Sequence, residues 1–204
     1  SEKDNPKGWN LYPAEDVATA ATAGSLALSG KPQDVINCLI PYSDDILLIG
    51  CDHSIWTMTG DPLLGGQLDL MTDVTGISFG RPWCKDPRGN IFFFGSRGGI
   101  YALSPSGGAP TKISESSIDR RLVDINLGTY RIELVWNERQ EGFHIYQIPF
   151  GAGGAIAKAW FWDRKRGSFW EDQFGAVGVQ PTSALVVDGD EADDRVVLLG
   201  GEDG

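Results

Sequence analysis

Ile46-Leu47-Leu48-Ile49-Gly50, four residues, then Ile55-Trp56-Thr57-Met58-Thr59 is the stretch that decides the fold, because the chain says it again. It returns as Ile91-Phe92-Phe93-Phe94-Gly95, four residues, Ile100-Tyr101-Ala102-Leu103-Ser104, and its first half returns as Val196-Val197-Leu198-Leu199-Gly200. The first return lies 45 residues on and the third copy a further 105, room for one more degenerate unit and a return. Each phrase reads as two short β-strands around a tight turn, since runs of apolar β-branched and aromatic residues are bounded by Asp, Gly, Ser and Pro. A period of roughly 40–50 residues carrying four such strands is the size of one β-propeller blade. The expected fold is therefore all-β and propeller-like, with about three and a half antiparallel four-stranded blades. Its repeat positions are Gly50, Ile55 and Trp56, then Gly95, Ile100 and Tyr101, then Gly200. Gly50 and Gly95 are expected in equivalent turns, and Trp56 and Tyr101 in matching, largely buried slots.

Working outward, residues 1–34 read as an extended lead-in, with a short helix over Asp16–Ala23 as the alternative, favoured by Ala and opposed by Thr. Residues 35–204 form the propeller segment, in units 35–72, 78–114 and 130–172 and an incomplete unit 181–204. The first unit reads Val35–Tyr42, Ile46–Cys51, Ser54–Thr59 and Gln67–Met71. The second reads Ser78–Cys84, Asn90–Gly95, Gly99–Ser104 and Thr111–Ser114, with Asp86-Pro87-Arg88-Gly89-Asn90 as its first turn. Ile118, Leu122 and Ile125, spaced by four and three between Asp119 and Gly128, predict one short helical insertion over 117–128. The third unit reads Tyr130–Asn137, Gly142–Pro149, Ala155–Asp163 and Ser168–Asp172. The fourth holds only Thr182–Asp188 and Val196–Gly200, so its second strand is expected either to associate or to be covered by the lead-in near Leu11–Tyr12 or Leu26–Leu28. With no initial Met and a turn at its close, the chain reads as a segment of something longer.

Composition excludes several classes of function. With 41% hydrophobic residues over 204, the chain can bury a sizeable core. Seventeen basic against 28 acidic residues leave −11, which disfavours nucleic acid bound through bulk charge. Cys38, Cys51 and Cys84 form neither a CxxC pair nor an even set and read as free, strand-borne thiols, consistent with a reducing compartment. No apolar run reaches the ~18 residues of a membrane span, and the first residues lack a signal peptide's apolar core.

No constellation in the sequence asks for catalysis or a cofactor, so the chain is expected to be no enzyme. Trp160 and Trp162 share one face of a strand, and with Phe161, Phe169 and Trp170 they read as blade-to-blade core, a sugar-stacking platform being the alternative. Asp188, Asp190, Glu191, Asp193 and Asp194 could attract Ca²⁺, but no EF-hand register is present, and a solvated hairpin tip is the plainer reading. Cys51-Asp52-His53 crowds three possible metal ligands in a turn whose neighbours should point apart, and His144 has no partner in sequence. Gly151-Ala152-Gly153-Gly154 lacks the Lys-Ser/Thr and helix of a phosphate loop. Asp163-x-x-x-Gly167-x-x-Trp170 lacks the leading Ser of a sialidase Asp-box and reads as a turn.

Trp160-Phe161-Trp162-Asp163, Gly167-Ser168-Phe169-Trp170, the run Val197–Gly204 and the phrases around Trp56 and Tyr101 together resemble the propeller-type tail hub and nozzle proteins of tailed bacteriophages and prophages. The resemblance covers about Val35 to Gly204 and rests on strand-and-turn phrases. It implies a virion structural component, assembled in the host cytoplasm, whose partners are other tail proteins or copies of itself and whose aromatic and glycine positions serve packing. A carbohydrate-binding or glycan-processing propeller is the alternative.

Overall fold

The structure, a computed structural model, describes residues 32, 34–60, 66–150, 157–172, 181–187, 189–190 and 195–201. They divide between two compact units, Ser1–Ser78 and Phe79–Gly204. The fold is all-β and propeller-like, with three four-stranded antiparallel meanders, one two-stranded hairpin and one short helix among the described residues. The lead-in, apart from Pro32 and Asp34, lies outside the described residues.

The first unit holds one blade, β1 (Ile36–Ser43), β2 (Ile46–Cys51), β3 (Ile55–Thr59) and β4 (Gln67–Thr72), in that order across the sheet. Ile49, Cys51 and Leu68 form its buried cluster, with Ile36, Trp56 and Met58 packed against them. After β4 the chain returns beside the β2–β3 turn, where the Ile77 N–H donates to the Cys51 carbonyl at 2.8 Å. That return explains Gly50, because a Cβ there would stand 2.7 Å from Cys38 Sγ and 2.8 Å from Ile77 Cβ.

Gly50 and Gly95 do not occupy equivalent turns. Gly50 sits inside the ladder opposite Ile55, and the turn beyond it closes on Asp52 and His53 through the Cys51 N–H to Ser54 carbonyl bond of 2.9 Å. Gly95 follows β6, and its N–H reaches the Gly99 carbonyl at 2.9 Å across a longer turn in which Gly98 and Gly99 hold φ of +86° and +90°. The longer closure shifts the register, so Trp56 faces Ile49 while Tyr101 faces Phe93, the neighbour of the residue that echoes Ile49. Both rings are half-buried, a correction to the expectation of burial. Trp56 keeps its Nε1 within reach of Ser54 Oγ at 3.0 Å, and Tyr101 stacks on Phe93 at 5.4 Å.

The second unit begins with a blade of β5 (Trp83–Lys85), β6 (Ile91–Phe94), β7 (Ile100–Leu103) and β8 (Thr111–Lys112). β5 is shorter than the Ser78–Cys84 run expected for it, because Gly80 takes φ of +97° and Pro82 has no N–H to give a ladder. The inserted helix is α1 (Asp119–Val123), where the spacing predicts one; it seats Leu122, fully buried, against β6 and β7. Asp119 binds Lys112 Nζ at 2.7 Å and Ser114 Oγ at 2.8 Å, tying α1 to β8. Gly98 lies so close to α1 that a Cβ would meet Val123 Cα at 2.6 Å.

The next blade is β9 (Tyr130–Asn137), β10 (Gly142–Pro149), β11 (Lys158–Asp163) and β12 (Ser168–Asp172). Strand alternation gives it two faces. On one, Phe143 lies between Trp136 and Trp162, and Ile145 between Leu134 and Trp160. This face packs on Phe92, Phe94 and Ile100 of the preceding blade. Phe92 stacks on Trp136 at 5.9 Å with 9° between planes and meets Phe143 at 5.0 Å and Trp162 at 5.1 Å. Trp160 and Trp162 are thus core between blades. The other face packs Val135, Tyr146, Ile148 and Ala159 on the half-blade β13 (Ser183–Val187) and β14 (Val196–Gly200).

Trp170 departs from the expectation that it belongs to the core, for it is 54% exposed opposite Phe161 on the outermost strand. The half-blade's apolar cover ends at Ala159, so nothing described reaches that far out. Trp162→Ala is expected to lower unfolding free energy by about 3–5 kcal/mol, and Trp170→Ala by no more than about 0.5 kcal/mol. Urea unfolding of both variants checks this, and equal losses would contradict the assignment of faces.

Candidate functional site

Among the described residues, the half-blade is where backbone bonding capacity is left unpaired. β13 is anchored to β9 by two cross-blade contacts: the Ala184 N–H donates to Glu133 Oε2 at 3.0 Å, and Arg131 donates to the Thr182 carbonyl. Its partner β14 pairs only with β13 among the described residues. In every complete blade the second strand, β2, β6 or β10, carries a third strand on its other side. Beside β14 that side carries no strand among the described residues.

The half-blade's two faces differ. Ala184, Val186 and Val197 turn to the preceding blade, whereas the paired Leu185 and Leu198 are 53% and 52% exposed on the opposite face, with Val187 and Val196 beside them. Gly200 ends the ladder opposite Ser183. Further out on the preceding blade, exposed Trp170 and half-buried Phe161 form an aromatic ledge. Edge, apolar face and ledge together make a surface suited to an added strand. Among the described residues it carries no reactive group.

Elsewhere, chemistry-bearing side chains are engaged in structure. Asp34, Asp52 and His53 bring one ligand atom each within 4.8 Å of the others, so the expectation that turn neighbours point apart fails here. Asp34, arriving from before β1, makes the cluster. A nitrogen and two carboxylate oxygens could hold a divalent cation, but their lone pairs are already committed. Asp34 accepts from the Val35 N–H at 2.9 Å, the His53 N–H and Ser54 Oγ at 3.3 Å, and stands 3.3 Å from His53 Nδ1. Asn37 Nδ2 donates to Asp52 Oδ1 at 2.6 Å and to the Ile77 carbonyl at 2.8 Å. Burial works to raise the Asp34 carboxyl, yet the hydrogen bonds from His53 and Val35 outweigh it and leave the pKa below its ordinary value. The group is a clasp on the blade's turn.

His144 finds partners that sequence alone does not show: Asp172 Oδ2 lies 3.2 Å from Nδ1 and Gln140 Oε1 3.1 Å from Nε2. Tyr146 stacks on the ring at 5.7 Å. Burial lowers the imidazole pKa and Asp172 only partly offsets it. Burial, with Asp172, pushes the Tyr146 phenol up. Burial likewise pushes the Cys38 thiol to about 12 and Cys51 to about 11, and raises Cys84 well above the ordinary thiol value. Asp163 organises the β11–β12 turn, accepting from the Lys165 N–H at 2.8 Å, with Gly167 at φ +62°. Of the acidic loop only Gly189 and Asp190 are described, and Gly151–Gly154 lies outside the described residues.

No family model matches the chain, and no curated protein matches it. Its chemistry is therefore read from its own residues, and two outcomes follow. The folded His144 pKa lies below the unfolded value of about 6.5, so the unfolded chain binds that proton first. Its contribution to stability is complete above pH ~6.5 and is lost as pH falls through the window below. His144→Gln should flatten the stability profile there, measured by urea unfolding at stepped pH, and an unchanged slope would refute the assignment. The thiols should resist alkylation at pH ~8 in the folded state and react on unfolding; rapid labelling of Cys51 in native protein, scored by mass, would contradict its burial.

Proposed function

We propose that this chain is a non-catalytic docking module, a structural component of a phage tail or related virion assembly that joins other tail proteins or further copies of itself. The observation that carries the reading is the half-blade: β14 offers an unpaired edge among the described residues, and Leu185 and Leu198 stay open on one face. An extended segment laid antiparallel on β14 would satisfy its outward N–H and C=O groups and extend the sheet over Phe161 and Trp170. The repeat defines what such a segment looks like, since β3 and β7 fill that place in their blades with short runs rich in apolar residues.

Charge and chemistry support the same reading. At −11 the chain favours a protein partner over a phosphate backbone. Its thiols are held protonated by burial, and His144 is tied to Asp172. The resemblance to phage tail proteins supplies the assembly. One observation favours a second reading, in which the exposed Trp170 indole stacks on a sugar ring.

Sedimentation velocity tests the proposal. The isolated chain should associate as its concentration rises, and Leu198→Glu, at an exposed position, should abolish association without lowering the melting temperature. A monomer persisting to about 0.5 mM, with Trp170 fluorescence quenched saturably by oligosaccharides, would replace docking by the carbohydrate reading.

A further inference from the structure

The phrase of a third strand occurs once more in the sequence, ahead of β1. Gly24-Ser25-Leu26-Ala27-Leu28-Ser29-Gly30-Lys31-Pro32 matches Ser54-Ile55-Trp56-Thr57-Met58-Thr59-Gly60-Asp61-Pro62, with large apolar residues in the places of Trp56 and Met58, small ones in those of Thr57 and Thr59, and the same Gly-x-Pro close. Its Ala27-Leu28-Ser29 is identical to Ala102-Leu103-Ser104 at the end of the β7 phrase. β3 and β7 both pair with the second strand of their blade. The place of a second strand before Gly24 is empty of one, since residues 16–20 read Asp-Val-Ala-Thr-Ala where residues 46–50 read Ile-Leu-Leu-Ile-Gly. The chain thus holds a third-strand phrase with no second-strand phrase of its own, and in β14 a second strand with no third beside it among the described residues.

We propose, resting on the docking reading above, that the segment which adds to β14 is residues 24–29 of a second copy of this chain. The β2–β3 register sets Leu48 opposite Thr57, Ile49 opposite Trp56 and Leu47 opposite Met58. Carried over by the repeat, it sets Ala27 opposite Leu198, Leu26 opposite Leu199 and Leu28 opposite Val197. Val197 turns to the preceding blade, and strand alternation puts Leu199 on the same side. Leu26 and Leu28 therefore cover the ledge of half-buried Phe161 and 54% exposed Trp170, while small Ser25, Ala27 and Ser29 run beside Leu198. Charge agrees with this direction. Lys31 is the one Lys or Arg between Lys7 and Arg81, and antiparallel order carries it past Val196 toward the end of β14 that follows the acidic run Asp188–Asp194.

The β14 of a second copy is a poorer occupant. The two-fold axis of such a pairing stands perpendicular to the sheet, so both copies would set their preceding blades on the same side, each with its outer strands where the other stands. A borrowed segment brings no blade with it. Donor and acceptor are then different surfaces of the chain, and the contact repeats head to tail, building a ring or a filament.

Disulfide trapping in the full chain tests the pairing. Ala27→Cys and Leu198→Cys chains, mixed with oxidised glutathione, should yield a dimer in which peptide mass mapping finds the 27–198 bond, and the double variant should yield a ladder of linked chains. A 27–198 bond confined within single chains overturns the second copy as the source, and absence of the bond overturns the pairing. In sedimentation velocity, Leu26→Asp/Leu28→Asp should weaken association about tenfold or more with tryptophan emission unchanged. Should Leu198→Glu end association while Leu26→Asp/Leu28→Asp leaves it at full strength, docking on β14 stands and residues 24–29 are not the occupant. A wild-type chain that does not associate removes the docking reading and this inference with it.

Discussion

The second unit depends on one packing event: Phe92 set among Trp136, Phe143 and Trp162, with ring centroids 5.0–5.9 Å away. Aromatic rings of this size bury more apolar surface than any other side chains and hold preferred tilts. Consecutive blades can meet only if the face presented by β9, β10 and β11 is complementary to β6. The register secures this by placing Phe143 between two tryptophans in one row. Gly142 permits the row to close, because a Cβ there would meet the Trp162 carbonyl oxygen at 2.0 Å.

That requirement recurs on the opposite face of the same blade. There the partner has two strands among the described residues, and its apolar contact ends at Ala159. The inner residues Tyr146 and Ile148 are buried, whereas Trp170 stays in water. Exposure on the outer blade and the edge of β14, unpaired among the described residues, are thus one structural fact seen from two sides. A surface of this kind binds by extending a sheet, through main-chain hydrogen bonds that any extended partner can make and side-chain pockets that only some can fill.

Desolvation also governs the reactive groups. The thiols are raised because burial disfavours thiolate, and His144 is lowered because burial disfavours imidazolium. Both shifts move the groups away from their reactive or charged forms at neutral pH.

The sequence by itself determined the strands. Short apolar and aromatic runs with bounding turn residues mark β2, β6, β9, β10, β12 and β14 within a residue of their ends, and alternation placed Trp160 and Trp162 on one buried face. Spacing also showed the helical insertion, and the repeat showed the half-blade. Tertiary structure decided whatever depends on closure and on distant neighbours. Two turns of equal length in sequence close differently because Gly98 and Gly99 adopt left-handed φ where His53 and Ser54 do not, and Trp56 and Tyr101 part company for that reason. Asp34 meets His53, and Asp172 meets His144, across strands that sequence cannot align to the ångström. Trp170 is exposed although its residue type and neighbours resemble those of Trp162, because burial is set by what lies opposite, and opposite β12 no third strand of a blade is described. The cavity lined by Trp83, Trp136 and Arg195 was likewise illegible, since these residues are separated along the chain and brought together only when blades pack.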